Sequence, residues 1–422
     1  MRVRIPPRAP LSWWYVVRSS GAEPSNPRLL TFANGSVASI DGMRGHVHKR
    51  GDRWAYVVDT GRDAATGKRR QRTKGGFRTK ALAEAALSEF MGEVRAGTAV
   101  ALTSITLGQY LGEWLVTAKP RLRETTWASY AIAVQRVSWG LGGRKLQALN
   151  PIEVERFYAS LVNEGGPSGR PLSPKTVRNT HIVLHRALAD AERLGVVSRN
   201  VAHLTRPPSV PHVERATWTA AELRTFLEYV TGDRLFIAYL LLATTGMRRG
   251  EVFGLRWRDV DLAGRRASVT QTVTTVNDRI IVGPTKTNRS RRTISLDPTT
   301  IEALKAHHVV QRQERARAGA AWDASFDLVI SDELGRPEHP DRFSRQFKRY
   351  VSQTLLPTLR GPHNLRHTWA TLALNAGIHP KVVSDRLGHA TIAVTIDTYS
   401  HVAPSLDAAA ADTVAANIFG LG

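Results

Sequence analysis

Apolar side chains recur at the three- and four-residue spacing of amphipathic helices through the middle of the chain. The clearest stripe is formed by Leu107, Tyr110, Leu111, Trp114 and Leu115, and aromatic residues at this spacing are typical of a helix that packs in a core. The same spacing predicts four helices, which are Leu107–Ala118, Glu124–Val137, Pro151–Asn163 and Pro174–Leu194. We therefore predict an all-α domain over residues 104–203.

The pattern changes to short alternating segments between residues 46 and 73, which favours strands. The predicted strands are His46–Lys49, Trp54–Val58 and Lys68–Arg72. A turn is expected at Asp63–Gly67, and a helix follows from a possible N-cap at Thr79 through Ala81–Val94. This succession predicts a small α+β domain over residues 43–98.

Residues 204–217 contain three prolines and no apolar periodicity, which predicts a linker. A capping box from Thr219 to Glu222 then begins a mostly helical domain over residues 218–422. Three segments of strand-like composition interrupt it, and they are Arg266–Val273, Arg279–Val282 and Arg292–Ser295. An alanine-rich helix is expected near the end, at Asp407–Ile418.

The first 42 residues differ in composition from the rest of the chain. They begin with an Arg- and Pro-rich stretch and continue with Gly, Ser, Asn and Pro, without a periodic apolar pattern. We expect a disordered leader over residues 1–42, and Met43 as a plausible true start.

The chain carries a formal net charge of +23 and no cysteine. A protein this basic usually binds a polyanion, most often nucleic acid, although a generally basic surface without a partner is the alternative. The lack of cysteine excludes disulfides and thiolate metal sites, and it fits a reducing cytoplasm. No apolar run in the sequence approaches the roughly 18 residues of a membrane span.

Four short motifs in the third domain carry groups that suit phosphoryl chemistry. They are Thr245–Glu251 with Arg248, His363–His367 with Arg366, Leu387–His389, and Thr398–Ser400 with Tyr399. A tyrosine oxygen can attack a phosphodiester, and arginines and histidines can hold the charge that builds on the phosphoryl oxygens.

In this order the motifs resemble those of the tyrosine recombinase (phage integrase) family, over roughly residues 46–419. The resemblance implies a DNA breaking-rejoining fold for the catalytic domain, preceded by a SAM-like core-binding domain and an arm-type DNA-binding domain. It also implies a reaction through a covalent 3′-phosphotyrosine. The catalytic residues that it implies are Arg248, Lys286, His363, Arg366, His389 and Tyr399.

The resemblance also implies a role for each of these residues. Arg248 and Arg366 would bind the non-bridging phosphate oxygens, because a guanidinium donates two parallel hydrogen bonds. Lys286 would protonate the departing 5′-oxygen as general acid, and His363 would accept a proton or position the phosphate. His389 would hydrogen-bond the scissile phosphate.

Tyr399 would be the nucleophile, helped by the surrounding cations. We expect Arg249 to point away from the site and Glu251 to orient its neighbours. We also expect His367 to be structural, since core residues surround it in the sequence.

His363 and His367 have the spacing of a zinc-binding helix, which is the alternative for this motif. No glutamate stands in the register that such sites require, and Arg366 would repel a cation. We therefore expect no metal and, in the absence of a nucleotide-binding motif, no cofactor.

Basic residues outside the catalytic motifs are expected to contact DNA. The predicted sheet resembles an arm-type domain that lies in the major groove. The expected DNA-binding residues are Lys68, Arg69, Arg70, Arg72, Lys74, Lys175 and Arg178. The alternative is a solvated face, which is the commoner fate of charged residues on a helix.

The resemblance further implies a homotetramer on double-stranded attachment-site DNA, a Holliday junction, and possible help from an excisionase and a DNA-bending host protein. The protein would then act on the bacterial nucleoid in the cytoplasm. Residues Val3–Pro6 can be encoded by the T-arm of a tRNA gene, which suggests an attachment site, with chance coding as the alternative. Whether the C-terminal helix docks on its own protomer or on a neighbour stays open.

Two other functions are alternatives, a type IB topoisomerase and a catalytically inactive DNA-binding regulator. The first two domains oppose the topoisomerase, and the complete set of catalytic residues opposes the inactive regulator.

Overall fold

The computed structural model describes residues 45–62, 67, 69–95, 103–211, 215–285, 290–389, 391–399 and 415. The expected leader, Met43, Lys68, Lys286 and all but one residue of the expected helix Asp407–Ile418 lie outside these ranges. The described residues divide into two compact units, those within residues 1–103 and 191–198 and those within residues 104–190 and 199–422.

The first unit contains a three-stranded antiparallel sheet in the order β1-β2-β3, followed by a helix. The elements are β1 (Gly45–Arg50), β2 (Arg53–Arg62), β3 (Arg69–Phe77) and α1 (Lys80–Arg95). Tyr56, Val58 and Phe90 form the core between the sheet and α1. The hydroxyl of Thr79 accepts the N–H of Leu82 at 3.3 Å, as the predicted N-cap requires.

The second unit begins with four helices, which are α2 (Leu107–Ala118), α3 (Glu124–Leu141), α4 (Pro151–Asn163) and α5 (Pro174–Arg193), the last of these up to residue 190. The predicted bounds of α2 and α4 are confirmed, whereas α3 continues beyond Val137 to Leu141, whose side chain is still buried. The aromatic stripe of α2 lies in the core. The Tyr110 hydroxyl donates to the carbonyl of Ala187 at 2.8 Å, and the Trp114 indole donates to Asp190 at 2.9 Å.

Eight further helices follow in the second unit among the described residues. They are α6 (Ala220–Tyr229), α7 (Phe236–Thr245), α8 (Arg249–Phe253), α9 (Pro298–Ala318), α10 (Pro340–Gln353), α11 (His363–Asn375), α12 (Pro380–Leu387) and α13 (Ile392–Tyr399). The capping box of Thr219 and Glu222 begins α6 as predicted. α7 is buried on almost every side and forms the centre of this core, next to Trp218, Phe226 and Phe347. None of the helices in the described ranges is long and apolar enough to cross a membrane.

Five strands lie between α8 and α9: β4 (Val260–Asp261), β5 (Arg266–Val269), β6 (Gln271–Val276), β7 (Arg279–Pro284) and β8 (Arg292–Ser295). They form one sheet in the order β4-β5-β8 and a separate β6-β7 hairpin. The prediction of one strand over Arg266–Val273 is wrong, because β5 ends before Thr270 and β6, which begins after it, belongs to the other sheet. The Thr270 hydroxyl bonds to Arg256 and Asp259, each at 3.0 Å, and so separates β5 from β6.

Candidate active site

A sharp turn after α7 brings Arg248 into the site. Gly246 ends α7 at φ +69°, and a Cβ there would lie 2.8 Å from Leu387 and 2.9 Å from Trp369. Arg248 then caps α8. Its backbone N–H donates to one carboxylate oxygen of Glu251 at 2.9 Å, and its guanidinium donates to the other at 2.8 Å.

A second arginine, Arg292 on β8, binds the same carboxylate. Its two terminal nitrogens donate to Glu251 at 2.8 and 3.1 Å, and its Nε donates to the carbonyl of Arg386 at 2.5 Å. Burial alone would raise the pKa of Glu251, but the hydrogen bonds and charge of Arg292, with those of Arg248, hold it below its ordinary value. Glu251 thus orients its neighbours, as expected.

Arg292 is a site residue that the sequence analysis missed. A signal for it existed in the alternation of β8, because Arg292 and Ile294 are two residues apart, and Ile294 is buried. Alternation therefore predicts that Arg292 points inward, whereas Arg291 points to the other face.

Arg366 on α11 lies between the motif that contains Gly246 and the motif that contains Leu387, and it is only 2% exposed. One terminal nitrogen donates to the carbonyl of Gly246 at 2.8 Å, and the other donates to the carbonyl of Leu387 at 2.7 Å. The buried guanidinium therefore joins the turn after α7 to the end of α12.

His363 begins α11, one turn before His367. The two imidazole rings lie perpendicular, with 4.9 Å between their centroids. Burial, followed by the charges of Arg366, Arg215 and Arg248, lowers the pKa of His363 to about 4, although solvent still reaches its ring. Burial and the neighbouring groups lower the pKa of His367 to about 3. Both rings are therefore neutral at pH 7.

His389 follows the left-handed cap of α12 at Gly388. Its Nδ1 lies 2.8 Å from the hydroxyl of Thr395, a fully buried residue of α13, and the guanidinium of Arg248 donates to the carbonyl of Gly388 at 3.3 Å. Burial, with the charges of Arg366 and Arg248, lowers the pKa of His389 to about 4. This ring, too, is neutral at pH 7.

The structure thus brings Arg248, His363, Arg366 and His389 together. Tyr399 is the last residue of α13, the helix that also carries Thr395, and its backbone alone is described. Lys286 lies outside the described residues, two positions after the end of β7.

A basic cleft of about 420 Å³ opens beside this cluster. It is lined by Arg248, Arg249, Gly250, Ser344, Lys348, Arg360, Gly361, Pro362 and His363. Arg249 is held by the start of α10, where its guanidinium donates to the Pro340 carbonyl at 2.8 Å and to Asp341 at 2.9 Å. Within the described part of the chain, no carboxylate pairs with Lys348 or Arg360. This concentration of positive charge suits a phosphate backbone.

The expected DNA-binding residues of the first unit lie on β3, apart from Lys68. Arg69 and Arg70 belong to the strand, and Lys74 is exposed. Arg72 lies on the helix-facing side, opposite the buried Val58, with its guanidinium 3.9 Å from the centre of the Phe90 ring. Arg72 therefore packs on the core of this unit, a role that the sequence analysis did not predict.

Lys175 and Arg178 are exposed near the start of α5 in the second unit. His367, in contrast, faces inward, and Arg215 binds its Nε2. The described residues contain no group of three or more histidine and acidic side chains arranged to hold a metal ion.

Three family models match the chain in succession. The Arm DNA-binding domain matches residues 46–94, the N-terminal SAM-like domain of phage integrases matches residues 106–162, and the phage integrase family matches residues 218–405. The last match contains the whole cluster described above.

The chain is also similar to curated proteins. A XerC-like tyrosine recombinase of Caldanaerobacter subterraneus is 28% identical, over 80% of this chain and 90% of the relative. An integrase of Streptomyces ambofaciens is 28% identical, over 84% of this chain and 90% of the relative.

Solved structures share the fold at lower identity. The Tn1549 transposon integrase in complex with transposon right end DNA matches with a TM-score of 0.59 and 19% identity, over 70% of this chain and 95% of that one. A lambda integrase tetramer bound to a Holliday junction matches with a TM-score of 0.52 and 20% identity, over 84% of this chain and 95% of that one.

Proposed function

This chain belongs to the phage integrase family of tyrosine-type site-specific recombinases, and on that premise we propose that it cuts and rejoins attachment-site DNA through Tyr399. The tyrosine oxygen attacks a phosphodiester, the 5′-oxygen leaves, and a 3′-phosphotyrosyl bond preserves the energy for resealing. The observation that supports this proposal most strongly is the convergence of Arg248, His363, Arg366 and His389 next to a basic cleft.

The two arginines stabilise the charge of the transition state in different ways. The side chain of Arg248 is 37% exposed, so it is available to donate directly to a non-bridging phosphate oxygen. Arg366 is almost completely buried and supplies positive charge from beneath the site. Both cations are fixed before substrate arrives, so little reorganisation accompanies the reaction.

His363 takes the proton of the Tyr399 phenol. An unperturbed phenol has a pKa of about 10 and therefore needs help to attack at neutral pH. His363 is neutral at pH 7, because its pKa is about 4, and a neutral imidazole is able to accept a proton. The negative phosphate raises the proton affinity of this ring when DNA binds. Lys286 protonates the leaving 5′-oxygen as general acid.

Each domain has its own task on the DNA. Residues 43–98 bind arm-type sites, residues 104–203 bind the core site, residues 204–217 link the domains, and residues 218–422 carry out catalysis. Lys175 and Arg178 contact the core-site backbone, since both are exposed on α5. Four copies assemble on two DNA sites and exchange strands through a Holliday junction, which integrates or excises a phage or another mobile element.

A trapping experiment with a nicked attachment-site DNA tests the proposed nucleophile. Wild-type protein should accumulate a covalent adduct that denaturing electrophoresis resolves, and Tyr399→Phe should bind the same DNA without forming it. Tyr229→Phe is the matched control, because Tyr229 is an exposed tyrosine whose hydroxyl donates to the side chain of Gln353 at 3.1 Å.

An adduct that persists in Tyr399→Phe would assign the nucleophile to another residue. A wild-type protein that binds the DNA without any adduct would indicate an inactive regulator. Relaxation of plasmid without strand exchange would indicate a topoisomerase.

A further inference from the structure

A short segment just before α6 lies along the first turns of α11. The guanidinium of Arg215 lies 2.5 Å from Nε2 of His367, and the carbonyl of Ala216 accepts a hydrogen bond from the Asn364 side chain at 2.8 Å. The N–H of Trp218 donates to the Thr368 hydroxyl at 3.1 Å. These contacts attach the end of the predicted linker directly to the helix that carries His363 and Arg366.

Trp218 anchors this segment. Its side chain is 1% exposed, it packs against Phe226 and Phe347, and its indole donates to the carbonyl of Pro357 at 2.8 Å. Arg215 therefore stands three residues from a fixed point, which limits how far it can move from His367.

The contact between Arg215 and His367 determines which ring nitrogen carries the proton. An arginine side chain has donors and no acceptor, and it stays charged at any ordinary pH. Nε2 of His367 must therefore accept, which places the proton of the neutral ring on Nδ1. A doubly protonated His367 would direct an N–H at the guanidinium, so Arg215 also opposes protonation of this ring.

We propose that Arg215 is a positioning residue that fixes the ring of His367, against which the proton acceptor His363 packs, and that its charge also acts directly on His363 to keep that ring neutral. His367 supports His363 by a perpendicular ring contact with 4.9 Å between centroids. The inference rests on the proposed function, in which His363 receives the proton of Tyr399. It assigns a positioning role to a residue in the segment that the sequence predicts to be a linker.

The charges around both rings agree with this role. Arg366, Arg215, Arg248 and Glu251 face His363, and the three arginines lower its pKa while the carboxylate raises it. His363, Arg215, Arg366 and His389 all act to lower the pKa of His367. Loss of Arg215 removes one of the lowering charges from each ring and removes the Arg215 donor from Nε2 of His367. The pKa of each histidine then moves up, toward the ordinary value of 6.5.

The test is the pH dependence of adduct formation at saturating nicked DNA, from about pH 5 to about pH 8. Wild-type protein should lose rate on the acid side only where His363 in the DNA complex becomes protonated while the lowering charge of Arg215 is in place. Arg215→Ala should lose rate on the acid side at a clearly higher pH, because a protonated His363 cannot accept the proton. Arg215→Lys keeps both the charge and a donor and should restore the wild-type pH profile. Arg215→Gln keeps only a donor, and its pH profile should lie between those of the wild type and Arg215→Ala.

Arg224→Ala is the matched control, because Arg224 is an exposed arginine on the neighbouring α6. The melting temperature of each variant is compared with that of the wild type, to show whether the variant is folded. Saturating DNA separates the proposed effect from weaker binding, which the loss of any exposed cation near DNA would cause. A profile of Arg215→Ala that coincides with wild type at every pH would overturn the inference.

A second measurement keeps this inference separate from the proposed function. The pKa of His367 is followed by NMR in full-length wild-type protein and in Arg215→Ala, with no DNA and no reaction. It should be higher in Arg215→Ala, and an unchanged value would overturn the inference even if the wild-type protein cleaves DNA. A wild-type protein that forms no adduct while the His367 pKa still shifts would refute the nucleophilic role of Tyr399 and leave the Arg215 contact established.

Discussion

Arg248 binds Glu251 through both its backbone and its side chain, with the backbone N–H 2.9 Å from one carboxylate oxygen and the guanidinium 2.8 Å from the other. This is one half of a capping box, in which Glu251 accepts the N–H of the N-cap residue, while the arginine side chain, which has no acceptor, donates to the same carboxylate. Since Glu251 is 2% exposed and is also bound by Arg292, the orientation of Arg248 is set within the protein core. In the proposed function, the charge that Arg248 presents to the phosphate is therefore preorganised.

Replacing Glu251 should destabilise the protein. Glu251→Ala leaves Arg292, whose side chain is 8% exposed, as a buried charge without its carboxylate. Breaking a buried pair in this way costs about 3–5 kcal/mol. Urea unfolding at pH 7 measures this loss, with Glu302→Ala as the control, since Glu302 forms only an exposed pair with Lys305.

The effect of Glu251 on stability should depend on pH. Its pKa in the folded protein lies below the ordinary value of 4.5, so the ionised group stabilises the fold above pH 4.5. This contribution is lost as the pH falls through the folded-state pKa. The difference in unfolding free energy between wild type and Glu251→Gln should be constant near neutral pH and should narrow below pH 4.5. If the difference in unfolding free energy widened on acidification, the ion pairs of Glu251 would not be what stabilises the fold.

Arg248 and Arg249 are adjacent but should differ in their effect on cleavage. Arg248→Ala or Arg366→Ala should each remove a charge that, in the proposed function, stabilises the transition state, at a cost of about 3–4 kcal/mol, or about two to three decades in rate. Arg249 is bound to Pro340 and Asp341, so Arg249→Ala should mainly weaken DNA binding. Single-turnover cleavage at saturating DNA distinguishes the two effects, and equal losses at 248 and 249 would refute the assignment.

Thr395 should support catalysis through His389. Its hydroxyl lies 2.8 Å from Nδ1 of His389 and is the polar contact that fixes this ring. Thr395→Val keeps the shape and removes the hydroxyl, which should slow cleavage about tenfold, corresponding to about 1.4 kcal/mol. Thr395→Ser keeps the hydroxyl and should retain most of the rate. If both variants cleave as the wild type does, the ring is held by other means.

Deletion of residues 1–98 should separate arm binding from catalysis. Cleavage of a short core-site substrate should persist, while recombination between full attachment sites should fail. Neutral replacements at Arg69 and Arg70 should flatten the salt dependence of binding to arm DNA, by about one unit of slope for each phosphate that is no longer neutralised. Arg72→Ala should instead lower the melting temperature, because its guanidinium packs on Phe90. Full recombination by the truncated protein would show that the first domain does not bind arm sites.

The sequence by itself determined the local elements and the identity of the chemistry. Helical spacing fixed the bounds of α2 and α4, and the side chains of Thr79 and Thr219 identified the starts of α1 and α6. Gly246 indicated the turn before Arg248, because only a glycine suits a positive φ in so crowded a position. These features depend on residues close together in the chain, where the spacing of side chains is set by the geometry of a helix or a turn.

Only the tertiary structure decided how the site is held together. Arg292 reaches Glu251 across 41 residues and Arg215 reaches His367 across 152, and no periodicity relates such distant positions. The same packing buries Arg366 and turns Arg72 toward Phe90, although both look like exposed basic residues in the sequence. It also keeps His363, His367 and His389 neutral at pH 7, since burial and the surrounding arginines lower the pKa of each ring. Charge and burial depend on which elements pack together, and that is a property of the folded chain.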